Sequence, residues 1–187
     1  MSPFQSHLSA PASTNRPSSF LPRSFYDYST LLSLRGHGAR ISFPSVNFTE
    51  IPVHIKGGSI IPLRARSANT TTELRKENFK LLIAPGLDGS ASGSLYLDDG
   101  ESLEQEGISE IQFDYGSDGK FEMSGSFGFQ TDVVVEEVVV LGRTEEPEGL
   151  GDVGEGVWRK ESESVSYRVD CSLMEGKEMQ LVGAQGV

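Results

Sequence analysis

Hydrophobic positions along this chain come in short, closely spaced groups with a period of two, not the three-to-four spacing of a helix. Ile111, Phe113 and Tyr115 alternate with Gln112 and Asp114, and Phe121 and Met123 restart the alternation after Asp118-Gly119. A period of two puts successive side chains on opposite faces, so these segments predict half-buried strands joined by a turn. Residues 133–141 form the strongest strand signal, because β-branched side chains fit a pleated, packed surface. Residues 79–84 are nearly all apolar and stop at Pro85-Gly86, which also predicts a strand. Leu95-Tyr96-Leu97 reads as a short strand entering Asp98-Asp99-Gly100, Val165, Tyr167 and Val169 alternate again, and 179–182 reads as a last strand. No amphipathic helix emerges. The pattern predicts an all-β fold, built as β-sandwich domains with antiparallel strands.

Punctuation divides the chain. Residues 1–23 are rich in Ser and Pro and carry no period, so they read as a flexible segment, with order expected from Phe25-Tyr26-Asp27-Tyr28. Val53-His54-Ile55 and Ile60-Ile61 flank Lys56-Gly57-Gly58-Ser59, which predicts a tight hairpin, since glycine takes positive φ without steric cost. Residues 67–72 are small and polar and read as a connection. The expected organisation is therefore a flexible 1–23, a first β unit over 24–66 and a second over 67–187. The acidic, glycine-rich stretch 145–156 is expected as a long loop or a disordered insertion within the second.

Composition narrows the function classes. A formal charge of −11 argues against a nucleic-acid partner, which requires clustered Lys and Arg. No apolar run approaches the length of a membrane span, so no membrane partner is expected. Cys171 is the one cysteine, which leaves no intrachain disulfide and no cysteine-based zinc site. Pro3, Pro11, Pro17 and Pro22 break the N-terminal stretch, which does not read as a secretory signal. Two sequons, at Asn47 and Asn69, could accept a glycan if the chain were secreted.

Three segments, in order, resemble the C-terminal region of family-31 glycoside hydrolases of the α-glucosidase type. Phe25-Tyr26-Asp27-Tyr28-Ser29-Thr30 resembles the family's WYDxxT strand, with Phe25 in place of Trp. Residues 51–63, carrying His54-Ile55-Lys56-Gly57-Gly58-Ser59-Ile60-Ile61-Pro62, resemble HxRGGxIxP, with Lys56 in place of Arg. Thr71-Thr72, Arg75, residues 79–84 and Ala91-Ser92-Gly93-Ser94-Leu95-Tyr96-Leu97-Asp98-Asp99-Gly100-Glu101-Ser102 resemble TT…R…F.L.VA…A.G.LYLDDGES. The match is strong over 25–102, thinner to Leu141-Gly142 and poor in the C-terminal tail.

The resemblance implies the end of a proximal β-domain over 24–66 and a distal β-sandwich over 67–187, next to a (β/α)8 barrel that this stretch does not include. Members of that family are often secreted. The retaining mechanism needs two carboxyl groups about 5–5.5 Å apart, and neither of the family's catalytic aspartates has a counterpart here. No catalytic, cofactor or metal residue is therefore expected, and the implied partner is the barrel, with carbohydrate as a further one. A stand-alone carbohydrate-binding module is the alternative.

Other residues favour structural readings. Asp98-Asp99-Gly100-Glu101 reads as a turn rather than a calcium loop, whose ligands need wider spacing. His54 reads as a packing residue, and Lys56 and Arg75 as partners of carboxylates across an interface. Phe25, Tyr26, Tyr28 and Trp158 read as core rather than a sugar-stacking platform. Cys171 reads as a small buried residue.

Overall fold

The computed structural model describes residues 6–7, 23–36, 42–43, 49, 51–104, 107–147, 153 and 156–181. Their order is β1 (Ser6–His7), β2 (Arg23–Asp27), β3 (Ser33–Gly36), β4 (Ser42–Phe43), β5 (His54–Lys56) and β6 (Ser59–Arg64). There follow α1 (Thr71–Leu74), β7 (Phe79–Ala84), β8 (Ala91–Leu97), β9 (Ser109–Tyr115), β10 (Lys120–Phe127), β11 (Val134–Val140), β12 (Gly156–Arg159), β13 (Ser164–Ser172) and β14 (Lys177–Gln180). The expected all-β architecture is present. Most of the predicted flexible segment 1–23 lies outside the described residues; Ser6–His7 within it pair with Ser42–Phe43.

β3, β2 and β5 form a three-stranded antiparallel sheet. The larger sheet has nine strands in the order β12-β13-β11-β7-β6-β8-β9-β10-β14. Its two arms face each other, because one hydrophobic cluster unites Phe79, Leu81, Val138 and Tyr167 from one arm with Ile111, Phe113 and Phe121 from the other. β9 carries the alternation that the sequence predicts, with Ser109, Ile111, Phe113 and Tyr115 buried and the residues between them exposed.

Pairing is antiparallel except at two places. β7 runs parallel to β11, and β6 runs parallel to β8 through Ser59 and Ser92. Parallel neighbours cannot be joined by a tight turn, and here the chain between β7 and β11 travels through the opposite arm as β8, β9 and β10.

The expected hairpin at residues 56–59 is not formed. β5 pairs with β2 in the small sheet, whereas β6 pairs with β7 and β8 in the large one. Gly57 and Gly58 form a corner at which the chain changes sheets. The Gly57 amide donates to Ser24 O at 2.8 Å, and the Gly58 amide donates to Ala84 O at 2.8 Å. Two adjacent amides thus serve two sheets. A two-residue glycine connection between apolar runs fits a hairpin and a corner equally well, and only the partners of its amides separate the two. The sheets part here, inside the unit expected to span 24–66.

β7 explains its own unbroken apolar run. Phe79, Leu81 and Ile83 enter the main core, while Leu82 and Ala84 enter a second core with Val139, Leu141, Tyr26 and Ile55. A strand buried on both faces has no solvent side to mark with polar residues. β11 reaches the same state through a bulge between Val135 and Glu137, after which Val138 and Val140 face the main core and Val139 and Leu141 the second. The extra residue at a bulge shifts which side chains face inward.

Candidate functional site

The second core is the joint between the two sheets, and two of the family-like motifs converge on it. Tyr26, in the middle of β2, is fully buried, and its hydroxyl donates to Pro85 O at 3.0 Å. The Ser24 hydroxyl donates to the same carbonyl at 3.2 Å. Pro85 stops β7, so its carbonyl is free to accept both bonds. Burial, with a smaller contribution from the Glu163 carboxylate, pushes the Tyr26 phenol up to about 12. Ser33 Oγ, on the small sheet, donates to Glu163 at 3.4 Å, a further bond across the joint.

Glycine is required at two close approaches in this region. A Cβ at Gly57 would strike Ser24 and the Pro85 carbonyl, and one at Gly142, where φ is +74°, would press on the Tyr26 ring. Of the second motif's two glycines, Gly57 is thus required by close approach and Gly58 by its φ of +85°.

The first motif also builds its own turn. The Asp27 carboxylate accepts from the Ser29 amide at 2.9 Å, the Thr30 amide at 2.8 Å and the Thr30 hydroxyl at 3.0 Å. The Thr30 amide is the main reason the Asp27 carboxyl lies below its ordinary value. This closed turn lets Leu31 adopt φ +64° and return the chain as β3.

The third motif makes a tie at one end of the sandwich. Thr70 caps α1 by accepting the Glu73 amide at 3.2 Å. Arg75, at the end of that helix, donates to Asp98 O at 3.1 Å and meets the Asp98 carboxylate at 3.3 Å. Asp99 turns away and accepts from the Glu101 and Ser102 amides, both at 3.0 Å. Gly100 has φ +70° and lies against the Arg75 guanidinium. The two aspartates therefore serve different partners, and the segment opens an eleven-residue connection between β8 and β9, from 98 to 108, rather than a tight hairpin. Among the described residues, no group of three His, Cys, Asp or Glu side chains is placed to hold a metal.

The other sequence candidates separate. Trp158 is half-buried against the main core and donates its indole N–H to Arg143 O at 3.1 Å. Phe25 is half-buried, Tyr26 is interior and Tyr28 is 46% exposed, so the four aromatics do not share one platform. His54 pairs across strands with Asp27 and helps to lower its carboxyl. Lys56 is exposed opposite Phe25. Cys171 is buried, and that burial raises its thiol. Asn69 is exposed beside the helix cap, while Asn47 lies outside the described residues.

Sequence alone does not locate two surfaces. Around the open end of the small sheet, Tyr28, Leu32, Ile51 and Val53 expose large apolar side chains. Backbone bonds bring three of these segments together: the Tyr28 amide donates to Val53 O, and the Asp27 amide, next to Tyr28 in the chain, donates to Leu32 O. At the sandwich end, a cleft of about 730 Å³ lies between α1, the residues after β8 and those before β11. Tyr96, 52% exposed, is among its lining residues. Neither has a sequence signal, because each gathers residues from distant segments.

No family model matches the chain. Curated relatives do. A probable alpha/beta-glucosidase agdC from Neosartorya fischeri is 54% identical over 129 residues, covering 69% of this chain. One from Aspergillus clavatus is 43% identical over 161 residues, covering 84% of it. The chain is homologous to family-31 glycoside hydrolases.

Glucoamylase 1 of Candida albicans, 37% identical over 123 residues, is a further relative. Solved structures share the fold at low identity. A glucosidase II alpha subunit superposes with a TM-score of 0.67 at 17% identity, over 95% of this chain and 21% of its own. A GH31 alpha-xylosidase from Xanthomonas citri gives 0.53 at 15% identity, over 96% and 17%. This family-31 homologue spans only 14% and 18% of the length of the two fungal glucosidases.

Proposed function

We propose that the chain is a non-catalytic β-sandwich part of an α-glucosidase, and that it buttresses a catalytic barrel during hydrolysis of α-linked glucosides. Within this reading the small sheet belongs to the end of one β-domain, expected over 24–66, and the large sheet, which also takes in β6, belongs to the next, expected over 67–187. The observation that carries the reading is the use to which the family-like motifs are put. Tyr26 and Gly57 serve the buried joint, Asp27 and Asp99 build turns, and Arg75 ties Asp98 at the surface, all within the chain. A motif set spent on contacts within the chain fits a support better than a reaction centre. The apolar group of Tyr28, Leu32, Ile51 and Val53 supports the same view, since such patches commonly mark surfaces that another body covers.

Purified chain incubated with maltose is expected to release no glucose above a blank from cells lacking the gene. Turnover that persists through further purification, and that tracks the protein peak, would reject the support role.

Asn69 is proposed as a glycan acceptor when the chain passes through a secretory pathway. It is exposed, and the following Thr71 hydroxyl lies at an exposed helix start. Secreted protein is expected to show a glycosidase-sensitive mass increment that Asn69→Gln removes; a secreted chain with unmodified Asn69 in its peptide map would refute this.

A further inference from the structure

Charge is divided unevenly along this chain. Residues 1–58, up to the corner where the sheets part, carry five Arg and Lys against two acidic side chains, Asp27 and Glu50, whereas residues 59–187 carry eleven against twenty-five. The first stretch is therefore basic and the second strongly acidic. Asp27 is the one acidic residue on β2, β3 and β5, and its carboxylate is engaged by Ser29 and Thr30. Arg35 and Lys56 in the same sheet are exposed. The apolar group of Tyr28, Leu32, Ile51 and Val53 thus belongs to a sheet of basic character.

A second exposed apolar group has the opposite surround. Leu103, in the connection between β8 and β9, is fully exposed, and Tyr96 and Ile108 on either side of that connection are 52% and 37% exposed. Asp99, Glu101, Glu104 and Glu110 are exposed along the same stretch, and Glu110 stands directly opposite Tyr96. Cations are fewer here: Arg75 is tied to Asp98, which leaves exposed Lys76 against four carboxylates.

The two groups lie on opposite sides of the molecule. The small sheet packs through the second core on the outer side of β7 and β11. Tyr96 and Glu110 alternate with Leu97 and Ile111 of the main core, so they face outward from the other arm. With the sandwich between them, the patches can meet only on different copies. Each has an apolar centre, and their surrounds are of opposite sign, which favours both encounter and burial.

We infer that copies of this chain associate head to tail, the basic small-sheet patch of one seating on the acidic β8–β9 end of the next. Such a contact joins two different surfaces, so it propagates until a ring closes. A barrel docked on the small sheet, as in the support role above, would occupy the same patch, so self-association belongs to the chain without one.

Sedimentation equilibrium and light scattering of the full chain, in about 0.05 M and about 0.5 M NaCl, test this. At low salt the mean mass is expected to rise with concentration beyond that of a dimer. At high salt association should weaken by about tenfold or more, because charges are screened over a shorter distance. Ile51→Ser and Leu103→Ser alter exposed side chains, so each should keep the parent melting curve. Each alone should lower self-association by about fivefold or more. Mixed together they should form a one-to-one pair, since one keeps the acidic end intact and the other the small-sheet patch. A monomer at every concentration overturns the inference. So does loss in Ile51→Ser alone with no pairing in the mixture, which would mean that two small-sheet patches meet each other. Flotation on phosphatidylserine-containing vesicles without self-association also overturns it and assigns the patch to a lipid surface. Association indifferent to salt overturns the charge pairing. The maltose assay reads none of these, so this contact and the support role fail separately.

Discussion

Tyr26→Ala is expected to destabilise the chain by about 3–5 kcal/mol, the usual cost of emptying a buried aromatic site. The ring fills the second core between Ile55, Leu82, Ala84, Val139 and Leu141, and its hydroxyl holds the Pro85 carbonyl. Denaturant unfolding monitored by circular dichroism would measure the loss; a change under about 1 kcal/mol would mean that the joint does not depend on this residue. Tyr26→Phe should cost only about 1 kcal/mol, because Ser24 still donates to Pro85 O.

The same pair of variants has a pH signature. The folded phenol is raised to about 12, above its ordinary value near 10. Below that ordinary value both folded and unfolded tyrosine are protonated, and the stabilisation is complete. As pH rises from about 10 to 12 the unfolded chain loses its proton while the folded chain keeps it, so stability falls by up to about 3 kcal/mol. Tyr26→Phe should make this alkaline decline shallower. A remainder should persist, because burial displaces Tyr115 in the same direction.

Gly93→Ala carries the second large effect. Gly93 lies in β8 beside the single parallel pairing to β6, where the two arms of the large sheet meet. A Cβ there would collide with the carbonyl of Ile60 and approach its side chain. Neither partner is the flexible end of a long side chain, so backbone must shift. The expected loss is about 1–3 kcal/mol, as for other overpacked sites. Ser92→Ala, at an exposed neighbour, should stay within about 0.5 kcal/mol of the parent. Equal melting curves for Gly93→Ala and the parent would remove the close approach from the account of this fold.

How much of this was legible depended on how many faces each segment presents. β9 has one buried and one wet face, so its alternation announced both the strand and its inward residues. β7, buried on both sides, was legible as a strand but not as the floor of two cores. β12 and β3 were missed, because Gly156–Arg159 and Ser33–Gly36 are four residues long and too short to establish a period. The resemblance to family-31 enzymes was legible because its motifs are local words. Their physical use was not, since the Tyr26 hydroxyl meets Pro85 across 59 residues.

The sequence alone therefore determined the all-β class, most strand positions and the family. It could do so because alternation, turn residues and motif spacing are properties of neighbours in the chain. Tertiary structure alone decided that Gly57-Gly58 is a corner, that β7 lies between two cores, and that Tyr96 borders a cleft. Each of these depends on which distant segment supplies the opposing backbone or side chain, and hydrogen-bond partners across a fold leave no period in the chain that carries them.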